Sequence, residues 1–355
     1  MREVDPGAGA RVRRLLRLAV RGLPAAYLPE TDDFAHTLRA VSGGTGVRVQ
    51  REGTSLRNAA VAALGLARLP LTSQRQVLSG RSAGELALLV AGRAETEDDP
   101  GTVALAARAA AEAADSCPRV LLDRLRAVLG RPGPLATVDL SLLLVAAVSA
   151  SGFGGTDDLV EKAAARLLHS HGPAGIWPHL VPSTRPRRPD GVATFADQAH
   201  ALQALARAST LTGDPVLLRA ADRTADRLCA LQGQAGQWWW RYAVRDGVVV
   251  GEQPVRSVHQ HALAPMALLD LQEAGGGDHR VAVAAGLAWL DRHPEVVEEV
   301  VSDRFGLVWR KVGPAGTAAT PRPGDAVVDH ECRPDELGWL LATWLPGQLR
   351  VLEGA

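Results

Sequence analysis

The 355-residue chain is predicted to be all-α, a closed (α/α) toroid of about a dozen helices with short β-hairpins over one rim. Three observations predict it. Most apolar positions recur at helical spacing, in segments of roughly ten to eighteen residues between Gly or Pro punctuation. Residues Arg166 to Trp177 align without a gap on Arg227 to Trp238, matching Leu167 with Leu228, Gly172 with Gly233, Gly175 with Gly236 and Trp177 with Trp238. A looser third copy ends at Gly306 and Trp309, so the repeat of roughly 60 to 70 residues holds two helices and a loop. Strand-like runs occur only in the longer loops. An open stack of helical pairs is the alternative arrangement.

Helices are expected over Arg11 to Arg21, Asp32 to Ala40, the stripe Leu56, Ala59, Ala60, Ala63, Leu64 and Ala67, and then Ser82 to Gly92, Thr102 to Asp115 and Pro118 to Leu129. The stripe Leu140, Leu143, Leu144, Ala147 makes the next. Further helices follow over Asp157 to His169, Thr194 to Thr210, Pro215 to Gln232, His259 to Ala274, His279 to Arg292 and Asp335 to Leu345. Gly213 closes one helix, Asp214 caps the next, and Pro215 takes its first position, where a missing N–H costs nothing. Gln237 to Val244, the Asp246-Gly247 turn and Val248 to Val250 read as a hairpin, and Phe305 to Val312 with Ala326 to Asp329 as another. One toroid over 1–355 is expected, with a sub-boundary near 130–135 between a helical scaffold half, 1–130, and a Trp- and His-rich half, 135–355. All eight tryptophans lie from Trp177 onward, and eight of ten histidines from His171 onward.

Composition narrows the function classes. Thirty-nine basic residues balance 39 acidic ones, so no net field gathers polyanions and nucleic acid is not an expected partner. Three separated cysteines, Cys117, Cys229 and Cys332, make neither a disulfide framework nor a CxxC knuckle. No apolar run approaches the roughly 20 residues of a membrane span, and no leader pattern opens the chain, so a cytoplasmic location is expected. Arg11, Arg13, Arg14, Arg17 and Arg21 lie on an amphipathic helix, which suits an outer helix and, secondarily, weak membrane-surface contact.

Several constellations carry ionisable or aromatic groups. In Gln237 to Tyr242, three consecutive indoles cannot share one core face; at strand period Trp238 and Trp240 oppose Trp239 and Arg241. Such a platform suits a sugar face or a hydrocarbon, although a hairpin packing Trp on both sides explains it equally. His259 and His261 point apart on a helix start, which argues against a shared metal, and a neutral His there can act as a base. Asp197 and His200, three apart, share a helix face. Asp197 also fits a plain helix-dipole role. The loop Asp329, His330, Glu331, Cys332, Arg333 offers an acid, a base or a clamp, with a Glu331–Arg333 ion pair as the simpler reading. Zinc through His330 and Cys332 lacks partners, so no metal is expected. Glu30 to Asp33 reads as capping.

Phe195 to Gln232, with its Ala-rich helix, Thr212, Gly213, Asp214 and second helix, resembles the hairpins of (α/α)6-toroid sugar enzymes such as N-acylglucosamine 2-epimerases and unsaturated glucuronyl hydrolases. About 40 residues carry the likeness, and its motif is structural. It implies a sugar in a central cleft, His or carboxylate acid–base groups and no redox cofactor. The Gln232 to Trp238 turn is also similar to those of squalene and terpene cyclases, whose Asp-x-Asp-Asp acid Glu30 to Asp33 departs from at its first residue. Lanthionine-cyclase zinc ligands are missing.

The resulting expectation is a carbohydrate-active enzyme, epimerase or glycoside hydrolase, using acid–base chemistry without metal or other cofactor on a small-molecule or oligosaccharide substrate. Asp197, His259 and Glu331 are the catalytic candidates. Trp177, His179, His200, Trp238, Trp240, Tyr242, Arg256, His261, Trp309 and Arg333 are the substrate-binding candidates. An isoprenoid cyclase would have an apolar closed cavity instead, and a non-catalytic toroid would leave the three candidates apart. Nothing in the chain specifies an oligomeric state.

Overall fold

The computed structural model describes residues 5–43, 46–182, 191–252, 254–314 and 326–345. Its helices are α1 (Ala8–Ala26), α2 (Leu56–Leu66), α3 (Leu71–Val77), α4 (Ala83–Ala94), α5 (Pro100–Ala114), α6 (Arg119–Gly130), α7 (Thr137–Ser149), α8 (Asp157–Ser170), α9 (Phe195–Thr212), α10 (Pro215–Ala230), α11 (Ala264–Glu273), α12 (Arg280–Arg292) and α13 (Pro334–Trp344). A π-helical turn, His259–Leu263, leads into α11. Apart from the short α3, inner and outer helices alternate. Helices α2, α5, α7, α9 and α11 pack side by side in that order, the π-helical turn ahead of α11 meets α13, and α13 returns to α2 to close an inner ring. Outside it stand α1, α4, α6, α8, α10 and α12.

Burial separates the two classes. On α10 the buried residues, Leu217, Ala220, Ala221, Thr224, Ala225 and Leu228, form one stripe at spacings of three and four. On α9 nearly every residue from Phe195 to Ser209 is buried, including Asp197, Gln198, His200 and Gln203. A helix covered on all sides belongs to the inside of the ring. Alanine lets these helices approach closely, and closure uses glycine outright. A Cβ on Gly65 of α2 would overlap the carbonyl oxygen of Gly338 on α13.

The amphipathic N-terminal segment is an outer helix. It buries Val12, Leu15, Leu16, Leu18, Ala19 and Leu23 while Arg11 pairs with Asp5 and Asp291, and Arg14 with Asp303. Among the described residues no helix is long and apolar enough to cross a membrane.

The repeat seen in the sequence is a turn with a side-chain brace. In the first copy Gly172 N–H donates to Ile176 O, and in the second Gly233 N–H donates to Gln237 O. The backbone N–H of Trp177 donates to Gln198 Oε1 at 2.8 Å, and that of Trp238 to Gln260 Oε1 at 3.2 Å. Each glutamine lies at the start of the following inner helix and returns its Nε2 to the same tryptophan's carbonyl. The conformation recurs because the same bonds recur.

One expected helix is instead a strand. Asp33–Gly43 pairs antiparallel with Gly46–Thr54, and its other neighbours are Tyr27–Leu28 and Glu331–Cys332. Its buried Phe34, Ala35 and Leu38 mimic helical spacing, but cross-strand pairing overrides that local pattern. The Asp246-Gly247 turn is present, with Gly247 at φ 71° and Ala243 N–H donating to Val248 O. Lys311–Pro314 pairs with Ala326–Asp329, as the second expected hairpin requires.

Candidate functional site

All six inner helices begin at the same end of the ring. Strands precede five of them, at Gly46–Thr54, Leu135–Ala136, Val192–Thr194, Val255–Arg256 and Glu331–Cys332. The positive ends of the helix dipoles therefore face one mouth, where they favour anionic groups.

Asp197 sits on the third helical position of α9 and completes a capping box with Thr194, accepting from its N–H at 2.7 Å and its hydroxyl at 2.8 Å. With no solvent exposure, its carboxyl also meets Nδ1 of His179 at 3.1 Å. His179 itself is exposed. The strand pair Leu135–Ala136 with Leu180–Val181 places it beside the start of α7, where Thr137 N–H donates to His179 O. Burial raises the Asp197 carboxyl pKa, opposed by the Thr194 bonds and His179.

Asp139, in the first turn of α7, faces the same mouth. Its carboxyl lies against Gly101 together with the Arg57 guanidinium, in a space that a Cβ on Gly101 would take. Burial pushes its pKa up, Asp99 and Asp197 add to this, and Arg57 and His179 oppose it. Asp99 caps α5 and lies 3.6 Å from Arg57. Asp139, with Arg57 and Asp99 from the first half of the chain, thus meets the Asp197–His179 pair.

On the opposite side of the mouth Arg256 lies over the half-buried Trp240 ring at 4.6 Å, and Arg241 lies over it at 5.4 Å. Trp240 O accepts from Phe195 N–H, which ties the platform to the start of α9. Arg256 Nε is buried and without a protein partner. It is a donor available to a ligand.

Deeper in the bore His259 packs on Phe195 at 4.6 Å, and His200 lies beside Trp339. Nδ1 of each is buried without a partner. Burial and nearby arginines pull His259 well below the usual imidazole value, and bring His200 down to about 3. Both are neutral near pH 7.

The remaining candidates divide sharply. Trp177, Trp238 and Tyr242 have no solvent exposure and present no ring face to a ligand. Trp177 stacks on His171 and donates Nε1 to Leu167 O. The physical reason is the glutamine brace, which turns these indoles into the wall between hairpins. Trp309 is also buried, edge-on to His330. His261 is fully buried, and neither ring nitrogen has a partner. Glu331 is held by Arg310 at 2.7 Å, Arg39 at 3.1 Å and Arg333 at 3.3 Å. Burial raises its pKa, but the arginines outweigh that and leave it below the usual carboxylate value. It stays ionised and makes a poor proton donor; Arg333 is occupied in the same clamp. Asp32 is likewise taken, by Tyr27 and Arg81.

Sequence reasoning missed Arg57, Asp99 and Asp139. A signal existed: each stands in the first turn of an inner helix or just before it, the same place as Asp197. Among the described residues no group of three His, Cys, Asp or Glu side chains is arranged to hold a metal.

No family model matches the chain, and no curated protein matches it by sequence. Solved structures do match its fold. A heparin-specific unsaturated glucuronyl hydrolase superposes with a TM-score of 0.63 at 13% identity, covering 98% of both chains. A sugar epimerase from a ruminal bacterium gives 0.64 at 10% identity, covering 98% of this chain and 99% of the other. An α-1,6-mannanase from Salegentibacter, in complex with α-1,6-mannotriose, gives 0.57 at 11% identity, covering 98% and 100%. Likeness over the whole chain to these carbohydrate-active enzymes shows a shared architecture: the protein has the fold of the six-hairpin α/α toroids.

Proposed function

We propose that the protein is a carbohydrate-active enzyme whose site is the mouth formed by the inner-helix N-termini. The observation that carries this reading is the exposed His179, oriented by buried Asp197 beside a second carboxyl, Asp139, held toward its protonated form. A protonated acid near an oriented base is what hydrolysis of a glycosidic or related bond needs. In this reading Asp139 donates its proton to the departing glycosidic oxygen as the bond from that oxygen to the anomeric carbon breaks and water adds to the carbon. His179, with Asp197 fixing its tautomer, takes a proton from the attacking water. Arg256, braced by Trp240, binds a carboxylate or hydroxyl of the sugar. The charged lining suits a sugar rather than an isoprenoid.

Epimerisation is the second reading, favoured by the unpartnered Nδ1 atoms of His200 and His259 in the bore. A histidine brought down to about 3 is a weak base, however, which favours hydrolysis. The test is a panel of unsaturated uronyl disaccharides, mannan oligosaccharides and reducing sugars. Release of a reducing end, lost in His179→Gln and Asp139→Asn, supports hydrolysis. Interconversion of reducing sugars lost in His259→Phe supports the second reading. No turnover of any member of the panel would sink both.

A further inference from the structure

The opposite end of the ring carries a second cavity. About 730 Å³ in volume, it is lined by residues of five inner helices, α5, α7, α9, α11 and α13, and by Arg68 just beyond the end of α2. Trp339 and Arg108, whose guanidinium lies 5.4 Å over the indole, sit between it and the His200 level of the bore. This volume is in the range of small-molecule sites.

Its walls differ in charge. On one side Arg68, Arg108 and Arg207 all bind Glu112, at 3.1, 2.9 and 2.9 Å, and Ser149 donates to the same carboxylate at 2.7 Å. Three guanidiniums share that one carboxylate, and Arg108 and Arg207 also feel Asp270 across the cavity, so the wall is arginine-rich while the cavity as a whole is close to charge balance. Arg108 is 4% exposed, yet its Nη1 has no protein partner. A buried guanidinium nitrogen left without an acceptor is costly unless something occupies the site. On the other side α11 brings Asp270 and Glu273. Gln203, 1% exposed, donates to Asp270 at 2.9 Å, but its Oε1 is likewise buried without a partner. An orphaned cationic donor and an orphaned neutral acceptor therefore line the same cavity. A simple anion would satisfy only the first, whereas a molecule with both a carboxylate and a hydroxyl gives the guanidinium a charged acceptor and the amide oxygen a donor. Because the acceptor is an uncharged amide oxygen, a hydroxyl suits it better than an ammonium group.

We propose that this far mouth is a second binding site, for a small hydroxylated carboxylate of sugar-acid size. Its carboxylate lies against the Arg68–Arg108–Arg207 wall and a hydroxyl donates to Gln203.

The test is calorimetric titration of the full chain with glucuronate, with glucose and hexanoate as probes lacking one of the two groups. Glucuronate should bind at the far mouth roughly tenfold more tightly than either control. Gln203→Leu and Arg68→Ala should each weaken that binding by a similar factor, while Asp139→Asn at the other mouth leaves it unchanged. Arg68 is at the rim with its side chain 37% exposed, so Arg68→Ala carries the comparison if Gln203→Leu fails to fold. Absence of glucuronate binding, or binding that only Asp139→Asn weakens, would overturn the proposal.

Discussion

Nδ1 of His179 lies 3.1 Å from Oδ2 of Asp197, so an exposed imidazole is held by a carboxylate with no solvent exposure of its own. The pair joins two inner-helix entries, since His179 borders α7 and Asp197 belongs to α9. The two residues should respond differently to substitution. His179→Gln should keep thermal stability within about 0.5 kcal/mol, as an exposed side chain does, and abolish turnover. Asp197→Asn should lose turnover and also about 1 kcal/mol of stability, because the Thr194 capping box is weakened. Thermal denaturation beside kcat measurements on the substrate found in the panel separates the two. Equal stability losses in both variants would contradict the assignment.

Asp139 sets a pH dependence. Its pKa is raised, by burial first and by Asp99 next, so its proton is retained to higher pH than an ordinary aspartate allows. Loss of that proton should give the alkaline limb of kcat/KM. Arg57 opposes the shift, so Arg57→Ala should move the limb to higher pH, and Asp139→Asn should remove it together with most of the activity. A pH–rate profile in which Arg57→Ala moves the limb to lower pH would refute the role.

Acid sensitivity of the fold should come partly from buried histidines. Burial lowers His171 to about 4, and His200 and His261 to about 3, from 6.5. The unfolded chain therefore binds these protons first as pH falls. Their contribution is fully present above about 6.5 and is lost as pH drops toward 3 to 4. His261→Phe, at a fully buried position whose ring nitrogens have no partner, should flatten the slope of unfolding free energy against pH by up to one proton. Urea midpoints at pH 7, 6 and 5 in both proteins measure this; parallel curves would refute it.

Ring closure should depend on two glycines. Gly65→Ala forces a methyl into the Gly338 carbonyl, and Gly338→Ala would place one against the carbonyl of Val61. Each should destabilise by at least the roughly 1–3 kcal/mol of core overpacking. Gly92, an exposed residue of α4 with open space around its Cα, is the control, and Gly92→Ala should be neutral or stabilising by up to about 1 kcal/mol. Denaturant midpoints for the three variants decide the matter.

Much of the ring was legible because its signals are local. The Gly213, Asp214, Pro215 boundary works as read: Gly213 takes a left-handed φ of 73° and Asp214 caps α10. The tryptophan repeat marked equivalent turns correctly, but whether those indoles face a cavity depends on Gln198 and Gln260, which lie 21 and 22 residues further along. The proposed site draws Arg57 and Asp99 from residues 1–130 as well as Asp139, His179 and Asp197 from residues 135–355. Two signals were available, one unread and the other followed only from Asp197 to His200. In α5, Arg108 and Glu112 are a lone i,i+4 charge pair in an Ala-rich helix, which must be internal and mutually paired. On α9, Asp197, His200, Gln203 and Arg207 recur at spacings of three and four, a polar stripe running down the bore over roughly 15 Å.

Most helices, with their caps, turns and the hairpin repeat, came from the amino-acid sequence alone, since capping and apolar spacing act over a few residues; the strand Asp33–Gly43, read as a helix, did not. Only the closed ring decided which carboxyl keeps its proton, which indole is sealed in a wall and which arginine is left a free donor. Those properties depend on desolvation and on charges delivered by distant segments, and α2 meets α13 only when the whole chain has come round.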